Sequence, residues 1–233
     1  MESPNTEKNS MSAKLNQLRA AVLGANDGIV STSSVVMGVA GATDSSQAIF
    51  TAGMAALVAG ALSMAVGEYV SVSSQSDAEK AYIENEKMML KLHPDEEFEQ
   101  LVDAYKQRGI SAKTARQVAT ELTEKDALAA HVMVERSLDK DSIVSPVQAA
   151  VASLISFTIG GLIPFVAVII SPNDIKEIVT VVAVLIALLI TGYFSATVGG
   201  ASRSRAMLRV IAGGLLAMAI TYVVGLLFGI QFS

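Results

Sequence analysis

Four stretches of this chain, residues 45–67, 142–173, 178–202 and 210–233, contain no Asp, Glu, Lys or Arg. Each is long enough to cross the ~30 Å hydrocarbon layer of a bilayer, which takes roughly 20 helical residues. A fifth candidate lies at 20–43, AAVLGANDGIVSTSSVVMGVAGAT, rich in Gly, Ser and Ala and interrupted by one carboxylate, Asp27. The pattern predicts an all-α polytopic membrane protein with five transmembrane helices, and it excludes a soluble enzyme. Composition agrees, since 52% of the residues are hydrophobic and 17% charged, whereas about a quarter of a soluble domain is charged. There is no cysteine, which further excludes disulfide scaffolds, thiolate zinc sites and iron–sulfur clusters.

Orientation follows from the bases between spans, because Lys and Arg favour the cytosolic side. The first 19 residues, MESPNTEKNSMSAKLNQLR, are polar and lack the apolar core of a signal peptide, so they read as a short cytosolic tail. The tail holds Lys8, Lys14 and Arg19, and the connection between spans two and three holds ten bases. SRSRAMLR, between spans four and five, adds Arg203, Arg205 and Arg209. With five spans, 16 of the 17 bases fall on one side and Lys176 alone on the other. Omitting the first span would break this agreement. The N-terminus is therefore expected in the cytosol and the C-terminus outside. No organellar signal is visible, which favours a prokaryotic cell membrane; a eukaryotic vacuolar membrane would carry the same topology.

On this reading the chain divides into a tail (1–19), spans one and two (20–67), a cytosolic helical insert (68–141) and spans three to five (142–233). After Gly67 no Gly or Pro appears until Pro94, so span two can continue as a helical stalk. A second helix is signalled at 95–108, opened by Pro94-Asp95-Glu96 and stopped by Gly109, with Phe98, Leu101, Val102 and Tyr105 forming one apolar stripe. A third starts at Ser111 and carries Ala115, Val118 and Leu122; Thr123 and Asp126 then read as a capping box restarting a helix to about Leu138. Between Asp77 and Asp141 there are 15 Asp/Glu against ten Lys/Arg. Such a domain is either a solvated structure or a cation-collecting surface. Glu79 and Glu86, seven apart, share a helix face beside Tyr82 and Met89. His131 and Glu135 are spaced i, i+4, which suits joint ligation of one metal and equally a surface hydrogen bond.

Asp27 is the most informative single residue. A charge at membrane depth costs at least ~2.5–3.5 kcal/mol, so such residues serve a purpose or sit near water. A carboxylate in the span can hold either a proton or a metal cation, which is the exchange chemistry of an antiporter. The alternative is a hydrated or paired group near the cytosolic interface, eight residues from Arg19. In span two, Gly53, Gly60 and Gly67 recur every seven residues and give a thin face for another helix. Met64 lies one turn before Glu68 at the cytosolic end, and a thioether beside carboxylates favours ferrous iron or another transition metal over Mg²⁺ or Ca²⁺. Gly160, Gly161 and Pro164 predict a kink and close contacts in span three, and Gly199-Gly200 and Gly213-Gly214 permit tight approach in spans four and five.

No Gly-rich phosphate loop, nucleophile elbow or nucleotide motif appears, so ATP-driven pumping has no support and no nucleic-acid partner is indicated. A ferritin-like di-iron enzyme would need two Glu-x-x-His motifs. The two histidines, His93 and His131, are instead preceded three residues earlier by Leu90 and Leu128. No catalytic constellation is visible, and the chain is not expected to be an enzyme.

AAVLGANDGIVSTSSVVMGVAGA in span one, SMAVGEYVSVSSQSDAEKA at the end of span two, and DALAAH followed by SPVQAAVASLISFTIGGLIP resemble, in order, the vacuolar iron transporter family. The resemblance runs from about Leu15 to the C-terminus. It implies a homodimer whose path runs between subunits, lined by spans one and two, and export of ferrous iron, and in some members manganese, from the cytosol in exchange for protons. The family's path aspartate and methionine match Asp27 and Met64, with Glu68 in the adjoining GEY motif near the mouth. The family's insert carries two Glu-x-x-Glu pairs and Met-Met-x-x-Glu. These fall here on Glu86 and Met89, on Glu97 and Gln100, and on His131, Val132 and Glu135. Three glutamates remain, Met89 and His131 can still ligate, and Gln100 and Val132 are poor substitutes. With fewer carboxylates, the insert holds fewer ions, holds them weakly, or serves mainly to join the dimer.

The expected function is a proton-coupled exporter of divalent metal, ferrous iron first and manganese second, with no permanently bound cofactor. Its transport path would use Asp27, Met64 and Glu68, and its insert Glu86, Met89, Glu97, His131 and Glu135. The alternative is a membrane-anchored dimeric metal-binding or sensing protein without transport.

Overall fold

The computed structural model describes residues 4–136 and 144–231. Among these residues the chain is wholly helical: α1 (Pro4–Ala42), α2 (Ser46–Leu92), α3 (Pro94–Gln107), α4 (Ala112–Arg136), α5 (Pro146–Ile170), α6 (Lys176–Gly199) and α7 (Arg203–Gln231). Five segments are long and apolar enough to cross a membrane: Ala20–Ala42 of α1, helices α2, α5 and α6, and Arg203–Gly229 of α7. The expected five spans are therefore all present, and the Gly- and Ser-rich first one is among them. Helix α1 begins at Pro4, ahead of the span itself; proline suits a first helical position, and no glycine follows until Gly24.

The chain forms two compact units, Met1–Val70 with Pro146–Ser233, and Ser71–Ser145. In the first, α1 packs against α5, α6 and α7. Apolar helices gain little by hiding from lipid that is equally apolar, so their association depends on close van der Waals fit, which small residues permit. Gly28 shows this directly, because a Cβ there would collide with the Phe157 carbonyl of α5. On the next face of α1, a Cβ on Gly225 of α7 would collide with the Gly38 carbonyl. Phe157, almost fully buried, then receives α2, with Leu57 and Ala61 around it and Met64 and Leu154 at its margin. Gly60 leaves room for the ring.

Some expected contacts differ. Gly53 and Gly60 sit under Phe165 and Phe157, but Gly67 has open space around it within the chain. Gly199, Gly200 and Gly213 are open too, while Gly214 meets Leu188. Gly200 instead adopts φ 63° and ends α6, a left-handed conformation that costs other residues more. Span one packs closely on span three through Gly24-x-x-x-Gly28 and Gly160, and span five on span one through Gly225-x-x-x-Gly229, a small-residue spacing readable in the sequence. Lys176, the base set apart by topology, is buried at the start of α6 with its ammonium 3.8 Å from Asp44.

In the second unit, Leu101, Val102, Ala115, Ala119, Ala130 and Val134 form a core, with Phe98, Tyr105, Ile110 and Leu122 against it. The α3 stripe faces this core as expected, and the two fully buried alanines let α4 approach closely. Ser111 caps α4 by accepting from the Thr114 N–H at 3.3 Å. The restart within α4 takes another form than a Thr123 capping box. Asp126 itself leaves helical geometry (φ −167°, ψ 91°) and accepts from the Ala129 N–H at 3.0 Å. Asp126 is thus the cap, three residues after the expected position, because its short carboxylate can reach the first free amides of the following turn. The expected helix end at Leu138 lies outside the described residues.

Candidate metal centre

Three helices of the Ser71–Ser145 unit each aim one metal-binding side chain at a common point. Glu86 comes from α2, Glu97 from the first turns of α3, and His131 from α4 beyond the Asp126 cap. Their donor atoms all lie within 4.8 Å of one another. Local sequence explains the placement. Pro94 starts α3 and an acidic first turn favours its N-terminus, which leaves Glu97 one turn before Leu101 on the core-facing stripe. The restart at Asp126 sets the register of α4 so that Ala130, His131, Val132 and Val134 are all buried.

Burial here is nearly complete: Glu86, Glu97 and His131 expose 5%, 3% and 1% of their surface. His131 Nδ1 stands 3.0 Å from Glu86 Oε1, 3.6 Å from Glu97 Oε2 and 3.7 Å from Glu135 Oε1. Yet among the described residues neither Nδ1 nor Glu86 Oε1 has a hydrogen-bond partner. Leaving a buried polar atom unpaired costs about 1–3 kcal/mol, more if it is charged. Both atoms would be satisfied by a cation between them. The 3.0 Å separation of Nδ1 and Glu86 Oε1 suits one ion, since two donors each roughly 2.1 Å from a metal, at roughly 90–110° to each other, lie about 3.0–3.4 Å apart, and Glu97 and Glu135 stand slightly farther off.

The carboxylates around Glu86 also set its protonation. Burial first, then the charges of Glu135 and Glu97, push its carboxyl from 4.5 up to about 7. Near neutrality Glu86 therefore exchanges a proton readily, and a cation can take that proton's place. The outer groups are held on one oxygen each. The Gln100 amide donates to Glu97 Oε1 at 3.3 Å, while Glu97 Oε2 is the oxygen nearer His131. The Tyr82 phenol donates to Glu135 Oε2 at 2.6 Å, while Glu135 Oε1 is the one nearer His131. Burial and the Glu135 carboxylate raise the Tyr82 hydroxyl well above the usual phenol range, so it remains a donor. The Arg136 guanidinium lies over the Tyr82 ring, 5.0 Å from its centre.

Of the residues singled out in the insert, four are thus brought together: Glu86, Glu97 and His131 as a buried cluster, with Glu135 at its edge and its side chain 32% exposed. Met89 lies half-buried one turn beyond Glu86. Glu79, which shares a helix face with Glu86 in the sequence, accepts instead from Gln75 at 2.8 Å. Gln100, a poor ligand, donates to Glu97 instead. Tyr82 was legible only as a neighbour of Glu86; its partner Glu135 is 53 residues away, and no local pattern reports such a pair.

In the span unit, Asp27 lies on the face of α1 that the chain's other helices leave uncovered, as do Leu23 and Val35. Ser31, one turn on, donates to its carboxylate at 2.9 Å. Met64 packs at the margin of the Phe157 cluster, the same side chain whose backbone meets Gly28. Glu68, a turn later, is half-buried.

Five helices long and apolar enough to span a membrane, and a helical unit that converges carboxylates and an imidazole, define a class: a multi-pass membrane protein with a side-chain cluster that could hold a metal ion. The comparison with known proteins narrows this. The chain matches the VIT family over residues 18–226 and belongs to that family. It is 44% identical to a protein of Acanthamoeba castellanii described as a vacuolar iron transporter, over 211 residues covering 90% of this chain and 78% of that one. It is 35% identical to vacuolar iron transporter homolog 2 of Arabidopsis thaliana, covering 88% and 81% of the two chains. It is 36% identical to vacuolar iron transporter homolog 1 of Oryza sativa, covering 94% and 77%. The resemblance of the motifs to the vacuolar iron transporter family is borne out.

Proposed function

We propose that this protein moves a divalent metal ion, ferrous iron first and manganese second, out of the cytosol in exchange for protons. The observation that carries the reading is the convergence of Glu86, Glu97 and His131 with two unpaired buried donor atoms between them. A nitrogen donor among carboxylates favours first-row transition metals over Mg²⁺ and Ca²⁺, and the relatives' names specify iron. The helical unit takes up the ion on the cytosolic side, the side that 16 of the 17 bases assign to it. Within the spans, Asp27 exchanges metal for a proton, with Met64 and Glu68 as further path residues.

The exposure of Asp27 supports a homodimer. A carboxylate facing hydrocarbon is costly, whereas the same face turned towards a second copy of α1 would line a polar path. Liposomes holding the purified protein and an internal pH dye test the proposal. Addition of Fe²⁺ or Mn²⁺ should move metal and protons in opposite directions, and metal-independent internal pH would overturn it. A second reading, a metal sensor without transport, is favoured by one observation: among the described residues, the three clustered donors all belong to the Ser71–Ser145 unit. Metal binding without flux would establish it.

A further inference from the structure

Among the described residues, Glu135 is the carboxylate near His131 that solvent reaches, and an exposed glutamate on the last described turn of a helix has many rotamers. Its position here is fixed by a group on another helix. Tyr82, on α2, donates to Glu135 Oε2 at 2.6 Å, and Arg136 stacks on the tyrosine ring. That leaves Oε1 as the oxygen presented to the cluster, 3.7 Å from His131 Nδ1. This distance is close to the 3.6 Å between Nδ1 and Glu97 Oε2, and both approach the separation of two donors on one ion.

We propose that Tyr82 is a positioning residue that turns Glu135 inward as the fourth donor, completing a single-ion site of three carboxylates and one imidazole. The proposal rests on the reading of Glu86, Glu97 and His131 as a metal site. Without the phenol, no other described residue holds Glu135 Oε2, and the side chain relaxes towards water. Loss of an outer-shell partner of a metal ligand typically weakens binding roughly 10–100-fold. Tyr82 touches no ion itself. Its effect runs chiefly through Glu135, which accepts its hydrogen bond at 2.6 Å, although its hydroxyl also neighbours Glu86.

The full-length protein in detergent, titrated with Co²⁺, tests this by calorimetry and by the visible ligand-field spectrum. Wild type should bind one ion per chain. Tyr82→Phe should bind about 10–100-fold more weakly, with a spectrum matching that of Glu135→Gln and with unchanged helicity and metal-free melting. Combining the two substitutions should cost little more than either alone, because both remove the same donor. Wild-type affinity in Tyr82→Phe, with binding lost in His131→Ala, would overturn the role of Tyr82 and leave the metal site standing. So would full additivity of the two losses. Absence of Co²⁺ binding by wild type would overturn both.

Discussion

His131 Nδ1 and Glu86 Oε1 face each other across 3.0 Å, both buried, with no hydrogen bond joining them. Two helices hold them there, and Glu97 closes the third side. Unpaired polar atoms are normally avoided in a protein interior, so the pair reads as half of a coordination shell.

Removing first donors should cost most of the affinity. Glu86→Gln, Glu97→Gln and His131→Ala should each weaken Co²⁺ binding by at least tenfold. The triple replacement of Glu86, Glu97 and Glu135 should abolish binding by the helical unit. Calorimetry on the purified protein reads the result, and wild-type affinity in the triple variant would remove the unit from the transport scheme.

Proton and metal should compete at Glu86. Its carboxyl titrates at about 7 in the folded chain and at 4.5 ordinarily. Between these values the folded state keeps a proton that the unfolded chain has released. Metal-free stability should therefore fall as pH rises through this window and level off above it. Tyr82 of α2, Glu97 of α3, and His131 and Glu135 of α4 are the titratable groups around it. Metal affinity should run the other way, rising towards pH 7 as the proton is surrendered. Glu86→Gln should flatten the stability slope, and thermal melts between pH 4.5 and 8 check it.

Asp27→Asn separates the two units functionally. It should abolish coupled metal and proton flux in liposomes while leaving Co²⁺ binding by the helical unit intact. Flux equal to wild type in this variant would take Asp27 out of the path.

Gly28→Ala tests the packing of the first span. Its new methyl would meet the Phe157 backbone, which cannot yield as a side-chain end could. The expected loss is about 1–3 kcal/mol, seen as a lower melting temperature in detergent. Gly213→Ala, with open space around it in the chain, should melt like wild type.

Asp126→Ala should destabilise the helical unit by about 1 kcal/mol, the usual cost of losing an N-cap. Because the cap sets the register that carries His131, the same variant should weaken Co²⁺ binding. Thr123→Ala should do neither to a comparable degree.

The sequence alone determined the membrane class and the five spans, because absence of charge over some twenty residues is a property of the chain and needs no partner. It also determined the helix starts at Ser111 and Pro94, the stop at Gly109, and the family, since caps, breakers and motifs act within a few residues. Ligand candidates were legible as residue types: Glu86, Glu97, His131 and Glu135 all appear in the motifs. Tertiary structure alone decided that Glu86 joins the cluster while Glu79 on the same helix face does not, because that choice depends on where α3 and α4 cross α2. It alone decided that Gln100 donates to Glu97 and Tyr82 to Glu135, and that Asp126 and not Thr123 caps the helical segment carrying His131. Each is a relation across helices or a choice between nearby polar groups, settled by distances of about 3 Å that local spacing cannot encode.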